Sequence, residues 1–497
     1  MPEWNDNDLL CYDLPSEPQP QIGKILVTGA TGYIGGRLVP ELVARDYDVR
    51  VMLRVASQEY AERWSNTEIV VADALELDKL REALDGIHTA YYLIHSLLLG
   101  PRRFESADIQ AAINFRKAAE EKKVKRIIYL GGLGDIQSTL SPHLRSRAQV
   151  AEELRRGTVP TTILRAAVII GSGSAPYEIL KSLVENSPIL FIPYWARTNC
   201  QPVSIRDLVK VLVGALESKQ TSGKSFDVGG NEVLTYEMMM KSLAKILGKK
   251  RVFIQTFFNN IRFYSYVASL LTPVPASVVR SLMASCQNEV VCQNDNIKRI
   301  LAFQPITFKE SILRAMSREE LDAVHTRWSD DFPRAHELAL KLHELETPPA
   351  YKCSYSLITN KTASALFRSI CKIGGDEGWL HGNWMWNLRG TLDRMLLGVG
   401  ISRGRRSSSH LRVHDVVDFW RVEALKKNHS LLLRAEMKLP GKAWLEFKIS
   451  REEDKNRLYI NAYYDPRGVA GKVYWYIFLP FHHFIFNNLI IQIEKRS

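Results

Sequence analysis

Three glycines in residues 29–35 have the spacing of a phosphate-binding turn. A short apolar run at residues 25–27 precedes the turn, and the amphipathic segment 38–43 follows it. Glycines let the backbone approach a pyrophosphate closely, and the N-terminus of the next helix offers unpaired N–H groups and a positive dipole end. The order strand, glycine turn, helix therefore predicts a dinucleotide site. Its predicted cofactor contacts are Gly29, Thr31, Gly32, Tyr33, Ile34 and Gly35.

Arg54 follows the second predicted strand, residues 49–53, where an NAD-specific enzyme usually places an acid for the adenosine ribose. A guanidinium suits a 2′-phosphate instead, and Ser57 offers a further hydroxyl contact. We therefore predict NADP(H) as the cofactor, with NAD(H) as the alternative, because a surface arginine at a strand end is also common. Asp73 and Ala74 follow the third predicted strand, where the carboxylate is placed either to bond the adenine edge or to cap the next helix.

Short apolar strands alternate with helices as far as residue 164, which predicts a parallel sheet covered by helices on both faces. The predicted strands are residues 25–27, 49–53, 69–71, 89–94, 127–130 and 161–164, and the predicted helices are 38–43, 77–84, 109–119 and 145–154. This is the α/β pattern of a doubly wound Rossmann domain. From about residue 171 to 330 the pattern is more helical and irregular, as expected of a subdomain that covers the substrate side.

The length of 497 residues exceeds what one hydrophobic core supports. We predict a flexible or draped leader at residues 1–21, an NAD(P)-binding domain at 22–330 with its substrate-side subdomain at 171–330, a helical linker at 331–349 and a C-terminal domain at 350–497. The C-terminal domain holds six of the ten tryptophans. Its aromatic strands and the apolar segment 473–493 predict an α+β fold that ends in a buried helix, with residues 468–471 as the preceding turn and Pro480 as a kink or a helix start.

The net charge of +12 is concentrated after Tyr351, where 24 Lys and Arg face 13 Asp and Glu. Such a surface attracts nucleic acid or anionic headgroups, but no nucleic-acid motif accompanies it, so no nucleic-acid partner is expected. The loop with Arg403, Arg405 and Arg406 predicts peripheral membrane contact, with a solvated basic loop as the alternative. A transmembrane interpretation of residues 473–493 is disfavoured by the polar pair His482 and His483.

The cysteine spacing and the composition of the N-terminal residues indicate the cellular compartment. The six cysteines show no C-x-x-C pair and no zinc spacing, so free thiols and no metal site are expected. The first residues are acidic, whereas a secretory or organellar leader is basic. We predict a cytoplasmic protein, with possible contact to the inner face of the membrane; its oligomeric state is left open.

Four segments carry a family resemblance. Residues 28–35, the pair Asp73-Ala74, residues 92–96 and residues 164–171 resemble the atypical short-chain dehydrogenase/reductases, particularly NmrA-like NAD(P)H-binding proteins. Segments 201–208, 233–238, 441–444 and 474–482 extend the resemblance to a bacterial group of nearly this length with a fused C-terminal domain. That domain resembles START and Bet v 1 helix-grip folds, in which a curved antiparallel sheet wraps a long C-terminal helix around an apolar cavity.

The resemblance implies a catalytic tyrosine and a lysine four residues later, but the matching stretch has His143 and Arg147 instead. The position of the family serine falls at Gly131 and Gly132. A histidine can donate a proton near neutral pH and an arginine can still bond the nicotinamide ribose; alternatively, His143 is only a polar residue at a helix start. His95 and Ser96 follow the fourth predicted strand and are expected near the cofactor, with Ser96 bonding a ribose or phosphate oxygen.

Two functions remain open from these residues. The first is an NADP(H)-dependent oxidoreductase acting on an apolar small molecule of the lipid, quinone or isoprenoid kind, with the C-terminal domain binding that molecule. The alternative is a non-catalytic NADP(H)-sensing or assembly protein, which the replaced catalytic residues favour. A lipid-transfer module with a vestigial dehydrogenase would require an empty cofactor site.

Overall fold

The chain folds into two compact units. The structure is a computed structural model, and it describes residues 10–55, 58–95, 104–134, 140–320, 326–330, 342, 348–380, 382–396, 398–400, 405 and 410–497. The first unit comprises Met1–Leu271 and Ser277–His336, and the second comprises Thr272–Ala276 and Glu337–Ser497. Most of the predicted linker 331–349 lies outside the described residues.

The regular elements are as follows. The strands up to residue 256 are β1 (Lys24–Val27), β2 (Val49–Leu53), β3 (Glu68–Val71), β4 (Ile87–Tyr92), β5 (Arg126–Gly132), β6 (Thr161–Ala166), β7 (Ile169–Ile170), β8 (Ile189–Pro193), β9 (Asn199–Cys200), β10 (Val203–Ser204), β11 (Ser225–Val228), β12 (Leu234–Thr235) and β13 (Val252–Thr256). The helices up to residue 320 are α1 (Gly35–Ala44), α2 (Gln58–Arg63), α3 (Leu77–Ala83), α4 (Phe104–Glu121), α5 (Pro142–Arg155), α6 (Ala175–Asn186), α7 (Ile205–Glu217), α8 (Tyr236–Ile246), α9 (Ile261–Leu271), α10 (Ala276–Ser285), α11 (Asn296–Leu301) and α12 (Phe308–Glu320). The remaining elements are β14 (Tyr351–Thr359), α13 (Ala363–Cys371), α14 (Asn383–Met395), β15 (Val416–Val417), β16 (Trp420–Lys426), β17 (Ser430–Ala435), β18 (Gly441–Glu452), β19 (Lys455–Pro466) and α15 (Gly468–Lys495).

Seven of the described strands form the central sheet of the first unit, in the order β11-β6-β5-β4-β1-β2-β3. Every pairing in it is parallel, and the central strands are buried on both faces, as apolar runs of this kind require. The predicted doubly wound fold is confirmed. The strand order reverses between β1 and β4, which is where such sheets open a ligand crevice.

Strand β11 at the sheet edge is an element that the sequence interpretation did not include. It pairs with β6, and the Arg165 guanidinium forms an ion pair with Asp227 of β11 at 2.6 Å. Helix α7, which precedes it, is buried along its whole length. The segment 171–330 therefore supplies both a helix and a strand to the nucleotide-binding sheet as well as the substrate-side elements.

The described part of the leader, residues 10–21, is packed against α1 and α7. The carboxylate of Glu41 accepts from the backbone N–H groups of Leu10 and Cys11, and Cys11 is almost fully buried. Gln19 donates from its side chain to the carbonyl of Glu217. Buried polar partners hold this part of the leader on the first unit; residues 1–9 lie outside the described residues.

In the second unit, the described strands form an antiparallel sheet in the order β14-β19-β18-β17-β16-β15. This confirms a separate α+β domain. Helix α15 begins at Gly468, so the predicted turn at residues 468–471 was wrong. A Cβ on Gly471 would lie 2.4 Å from the Pro440 carbonyl oxygen, which shows that this glycine serves close packing. Pro480 lies inside the helix.

The predicted membrane contacts of this unit have mixed outcomes. Arg403 and Arg406 lie outside the described residues. Arg405 donates to the carbonyls of Cys371 and Ile373, so its guanidinium stabilises this part of the second unit. Of the helices that the structure describes, none combines the length and hydropathy needed to span a bilayer.

Candidate functional site

Two glycines of the turn after β1 are required by their backbone surroundings. Gly29 has a φ of +63°, and a Cβ there would lie 2.7 Å from the Leu93 carbonyl oxygen. A Cβ on Gly35 would lie 2.3 Å from the Gly29 carbonyl oxygen, so the first turn of α1 packs directly on the glycine turn. Side chains at either position would force the turn apart.

Gly32 differs from these two glycines because it faces open space. A Cβ there would meet the Gly29 carbonyl oxygen at 3.2 Å and no other neighbouring atom within 4 Å. The backbone above this residue is therefore accessible to a ligand, while the N-terminus of α1 lies directly behind it. This is the geometry that a pyrophosphate requires.

A cavity of about 410 Å³ runs along the carboxyl ends of the strands of the first unit. The predicted cofactor residues that line it are Gly29, Thr31, Gly32, Tyr33, Ile34, Gly35, Arg54, Ala74, His95 and Arg147, and the predicted catalytic residue His143 lines it as well. Asp73 is not among the lining residues: its carboxylate accepts from the Leu75 N–H at 2.9 Å, which organises the turn before α3. Ser57 and Ser96 lie outside the described residues.

Asp108 on α4 places a buried carboxylate beside Arg147 and His95, two residues that line the cavity. The guanidinium of Arg147 donates to Asp108 Oδ2 through Nη2, and to the Ile94 carbonyl through Nη1 at 3.2 Å. His95 Nδ1 lies 3.6 Å from the same carboxylate oxygen. Because Asp108 and Arg147 are both buried, the carboxylate balances the guanidinium charge and fixes its position.

Among the buried polar atoms of the wall, Nδ1 of His143 and Nε of Arg147 have no hydrogen-bond partner among the described residues. Both residues line the cavity. Buried polar atoms in folded proteins nearly always have a partner. Together with the open backbone at Gly32, these atoms fit a bound dinucleotide and its reaction partner.

The surroundings of His143 affect its predicted role as a proton donor. Burial lowers the pKa of His143 well below its usual range, and the neighbouring His95 and Arg147 lower it further; the two imidazole centroids are 5.1 Å apart. His143 is therefore neutral near pH 7, and a neutral imidazole is a much weaker acid than an imidazolium. The environment favours a hydrogen-bonding role, and catalysis by His143 stays a prediction.

The glycine pair at the end of β5 is explained by packing. A Cβ on Gly131 would lie 2.9 Å from the Tyr129 ring, and a Cβ on Gly132 would lie 2.9 Å from Leu144 Cδ2. A serine at Gly132 would require a shift of the terminal methyl group of Leu144. The glycine pair thus lies at close packing between β5 and α5.

The end of the cavity away from the glycine turn is apolar. Its lining side chains from α6 and α10 include Ile179, Leu180, Val278, Leu282 and Met283. Tyr236, Ser285 and Cys286 add a few polar atoms, and burial raises the pKa of Tyr236 far above its usual range, so its phenol keeps its proton. A mainly apolar pocket with few convergent polar groups is typical of a small-molecule site.

Sequence reasoning missed Asp108, Tyr236 and the contribution of α10. The signal for Tyr236 was its place in segment 233–238, which shares the family resemblance. No comparable signal marked Asp108, because one acid in a helix is ordinary until its buried partner Arg147 is known. Helix α10 was hidden by the irregular pattern around it.

Two family models match parts of the chain. Residues 29–186 match the model described as NAD(P)H-binding, starting at the first glycine of the turn. The first unit carries an NAD(P)H-binding domain. Residues 350–489 match the model described as protein of unknown function (DUF2867). The cavity geometry and the first match together support a nicotinamide cofactor.

Curated relatives resemble the N-terminal half. Mitochondrial NADH dehydrogenase (ubiquinone) 1 alpha subcomplex subunit 9 of Dictyostelium discoideum is 28% identical over 221 residues, which are 42% of this chain and 60% of that protein. Chloroplastic divinyl chlorophyllide a 8-vinyl-reductase of Arabidopsis thaliana is 22% identical over 250 residues, 46% of this chain and 59% of that protein. The chain thus spans about 60% of the length of these relatives. Among solved structures, triphenylmethane reductase of Citrobacter sp. complexed with NADP(H) covers 59% of this chain and 99% of its own, with 20% identity and a TM-score of 0.48.

Proposed function

We propose that this chain is an NADP(H)-dependent oxidoreductase that acts on an apolar small molecule of the lipid, quinone or isoprenoid kind. The observation that supports this most is the single cavity that joins the glycine turn to the apolar end. NADP(H) supplies or takes up the hydride when bound. The turn holds its phosphates, Arg54 bonds the 2′-phosphate, and Arg147, held by Asp108, bonds the nicotinamide ribose.

The substrate lies at the apolar end in this proposal. Leu282 and Met283 exclude water there, and the Tyr236 hydroxyl and the imidazole of His143 are the polar groups that can bond its oxygen. A protonated phenol and a neutral imidazole can each donate one hydrogen bond. These donors orient a carbonyl or quinone oxygen without placing a buried charge beside an apolar ring.

A second candidate function is non-catalytic: an NADP(H)-sensing or assembly protein. The neutral state of His143 and the packed glycines at residues 131 and 132 favour it, because the standard catalytic groups are absent from those positions. One relative is named as a subunit of NADH dehydrogenase and another as a reductase. Proteins that resemble this chain are thus named in one case as a subunit and in the other as an enzyme.

For the second unit we propose a helix-grip domain of the START and Bet v 1 kind that binds or presents the apolar molecule. Its element order supports this: β14, the helices α13 and α14, five further strands and the long helix α15. Leu489 of α15 is buried, as are Phe447 and Leu458 of the sheet, and all three belong to one apolar core.

The functional test combines extraction with turnover. Small molecules that copurify with the full chain are extracted and identified by mass spectrometry, and each compound is tested as a substrate by the loss of NADPH absorbance. We expect reduction of an apolar carbonyl or quinone. Leu282→Trp should abolish that reduction and leave the NADPH affinity unchanged, because an indole fills only the apolar end. Tight NADPH binding with no reduction of any extracted compound would favour the sensing function.

Cofactor preference is tested at Arg54. We expect Arg54→Ala to weaken NADPH binding about 10- to 100-fold, since a charge-assisted hydrogen bond contributes about 1.5 to 3 kcal/mol, and to leave NADH binding nearly unchanged. Arg54→Lys is the matched control, because it keeps the charge without the bidentate geometry. Calorimetric titrations that give equal NADPH and NADH affinities in the wild-type protein would refute the assignment.

A further inference from the structure

The first unit exposes an apolar surface that the nucleotide site does not use. Strands β8 and β13 pair in parallel with Ile189 opposite Val252 and Phe191 opposite Ile254, and all four side chains are exposed. Phe257, just after β13, is completely exposed. We call Ile189, Phe191, Val252, Ile254, Phe257 and Phe258 the aromatic face.

Neighbouring contacts show that the aromatic face is continuous. The Phe258 ring packs edge-on against Phe263 of α9, with 5.2 Å between their centroids. Asn259 accepts from the backbone N–H of Tyr194, which directly follows β8, and the Tyr194 side chain is 76% exposed. Contiguous apolar patches of this kind are rare on monomeric proteins and mark interaction sites.

Positive charge predominates around the aromatic face. Residues 241–271 contain six Lys or Arg and no Asp or Glu. Lys249, Lys250 and Arg251 stand immediately before β13, and Arg262 stands beside Phe263 on α9. The nearby acids lie on other elements: Glu237 on α8 pairs with Lys241 at 2.7 Å, and Glu185 lies near the end of α6. The rim therefore remains basic.

We propose that the aromatic face and its basic rim bind the surface of an anionic lipid bilayer. Aromatic side chains favour the boundary between headgroups and acyl chains, and Lys and Arg beside them attract anionic headgroups. An acidic protein partner would complement the charge of the rim. It would bury the fully exposed Phe257 side chain only if that partner also carried a matching apolar pocket. Contact with a bilayer satisfies both features, and it requires neither the cofactor nor the proposed reaction.

The test is vesicle flotation of the full chain without nucleotide. We expect binding to vesicles of phosphatidylcholine with one third phosphatidylglycerol and weak binding to phosphatidylcholine alone. Lys249→Glu/Lys250→Glu and, separately, Phe257→Ser should each weaken binding about tenfold or more. Added salt should reduce the binding of the Phe257→Ser variant most, since charge attraction, which salt screens, contributes a larger share of its binding.

Matched controls distinguish binding through the aromatic face from non-specific effects of charge and of exposed aromatic side chains. Lys219→Glu/Lys224→Glu carries the same charge change on exposed lysines elsewhere, and Tyr12→Ser removes an aromatic side chain that is 61% exposed; both should bind vesicles like the wild type. Equal losses in the controls would overturn the proposal. Concentration-dependent self-association without vesicles, removed by Phe257→Ser, would also overturn it, because a second copy would then be the occupant.

Discussion

Replacing Gly32 by valine is expected to abolish NADPH binding while the chain remains folded. In the structure a Cβ at this position meets only the Gly29 carbonyl oxygen, at 3.2 Å, and otherwise faces open space. A branched side chain would therefore enter the space where the pyrophosphate meets the N-terminus of α1. We expect an affinity loss of about 100-fold or more, which corresponds to about 2.8 kcal/mol, in calorimetric titrations.

A graded series makes this result specific. Gly32→Ala adds the Cβ alone and should weaken binding less than Gly32→Val, whereas the thermal unfolding of both variants without nucleotide should stay close to that of the wild type. A folded Gly32→Val variant with normal NADPH affinity would mean that the cofactor does not lie over this turn.

Removing the carboxylate of Asp108 is expected to destabilise the first unit strongly. Asp108→Ala leaves the Arg147 guanidinium buried without its counter-charge, and breaking a buried ion pair in this way costs about 3 to 5 kcal/mol. The variant should also bind NADPH more weakly, because Asp108 holds Arg147 at the cavity wall. Urea unfolding measures the first effect, and nucleotide titration of the folded variant measures the second.

Helix α5, which carries Arg147, supplies a matched control. Arg156 lies next to the end of α5 and pairs with Glu152 at 3.8 Å, and both side chains are largely exposed. Glu152→Ala should change the free energy of unfolding by about 0.5 kcal/mol at most and leave NADPH binding unchanged. If Asp108→Ala proved as stable as Glu152→Ala, the buried pair would not organise the site.

Local pattern was sufficient for the nucleotide-binding half up to β6. The strands from β1 to β6 contain short apolar runs, and each falls where its run predicts it. For the central strands the reason is that burial on both faces demands continuous apolar sequence, whereas β3 lies at the sheet edge and is partly exposed. The glycine turn could also be predicted from the sequence, because the spacing of its glycines reflects close approach of backbone atoms within a few residues. Strand β11 was not predicted because Ser225 and Asp227 interrupt its apolar character. The buried Asp227 carboxylate is balanced by Arg165 and accepts from the Gln293 N–H.

The sequence by itself thus determined the Rossmann order, the dinucleotide turn and a separate C-terminal α+β domain, since each depends on periodicity over short stretches. Tertiary structure alone decided that Asp108 pairs with Arg147, that Leu144 packs closely against Gly132, and that α10 lines an apolar end of the cavity. These features join residues far apart in the chain. Their types are ordinary in isolation, and burial beside a particular partner is what gives them a role.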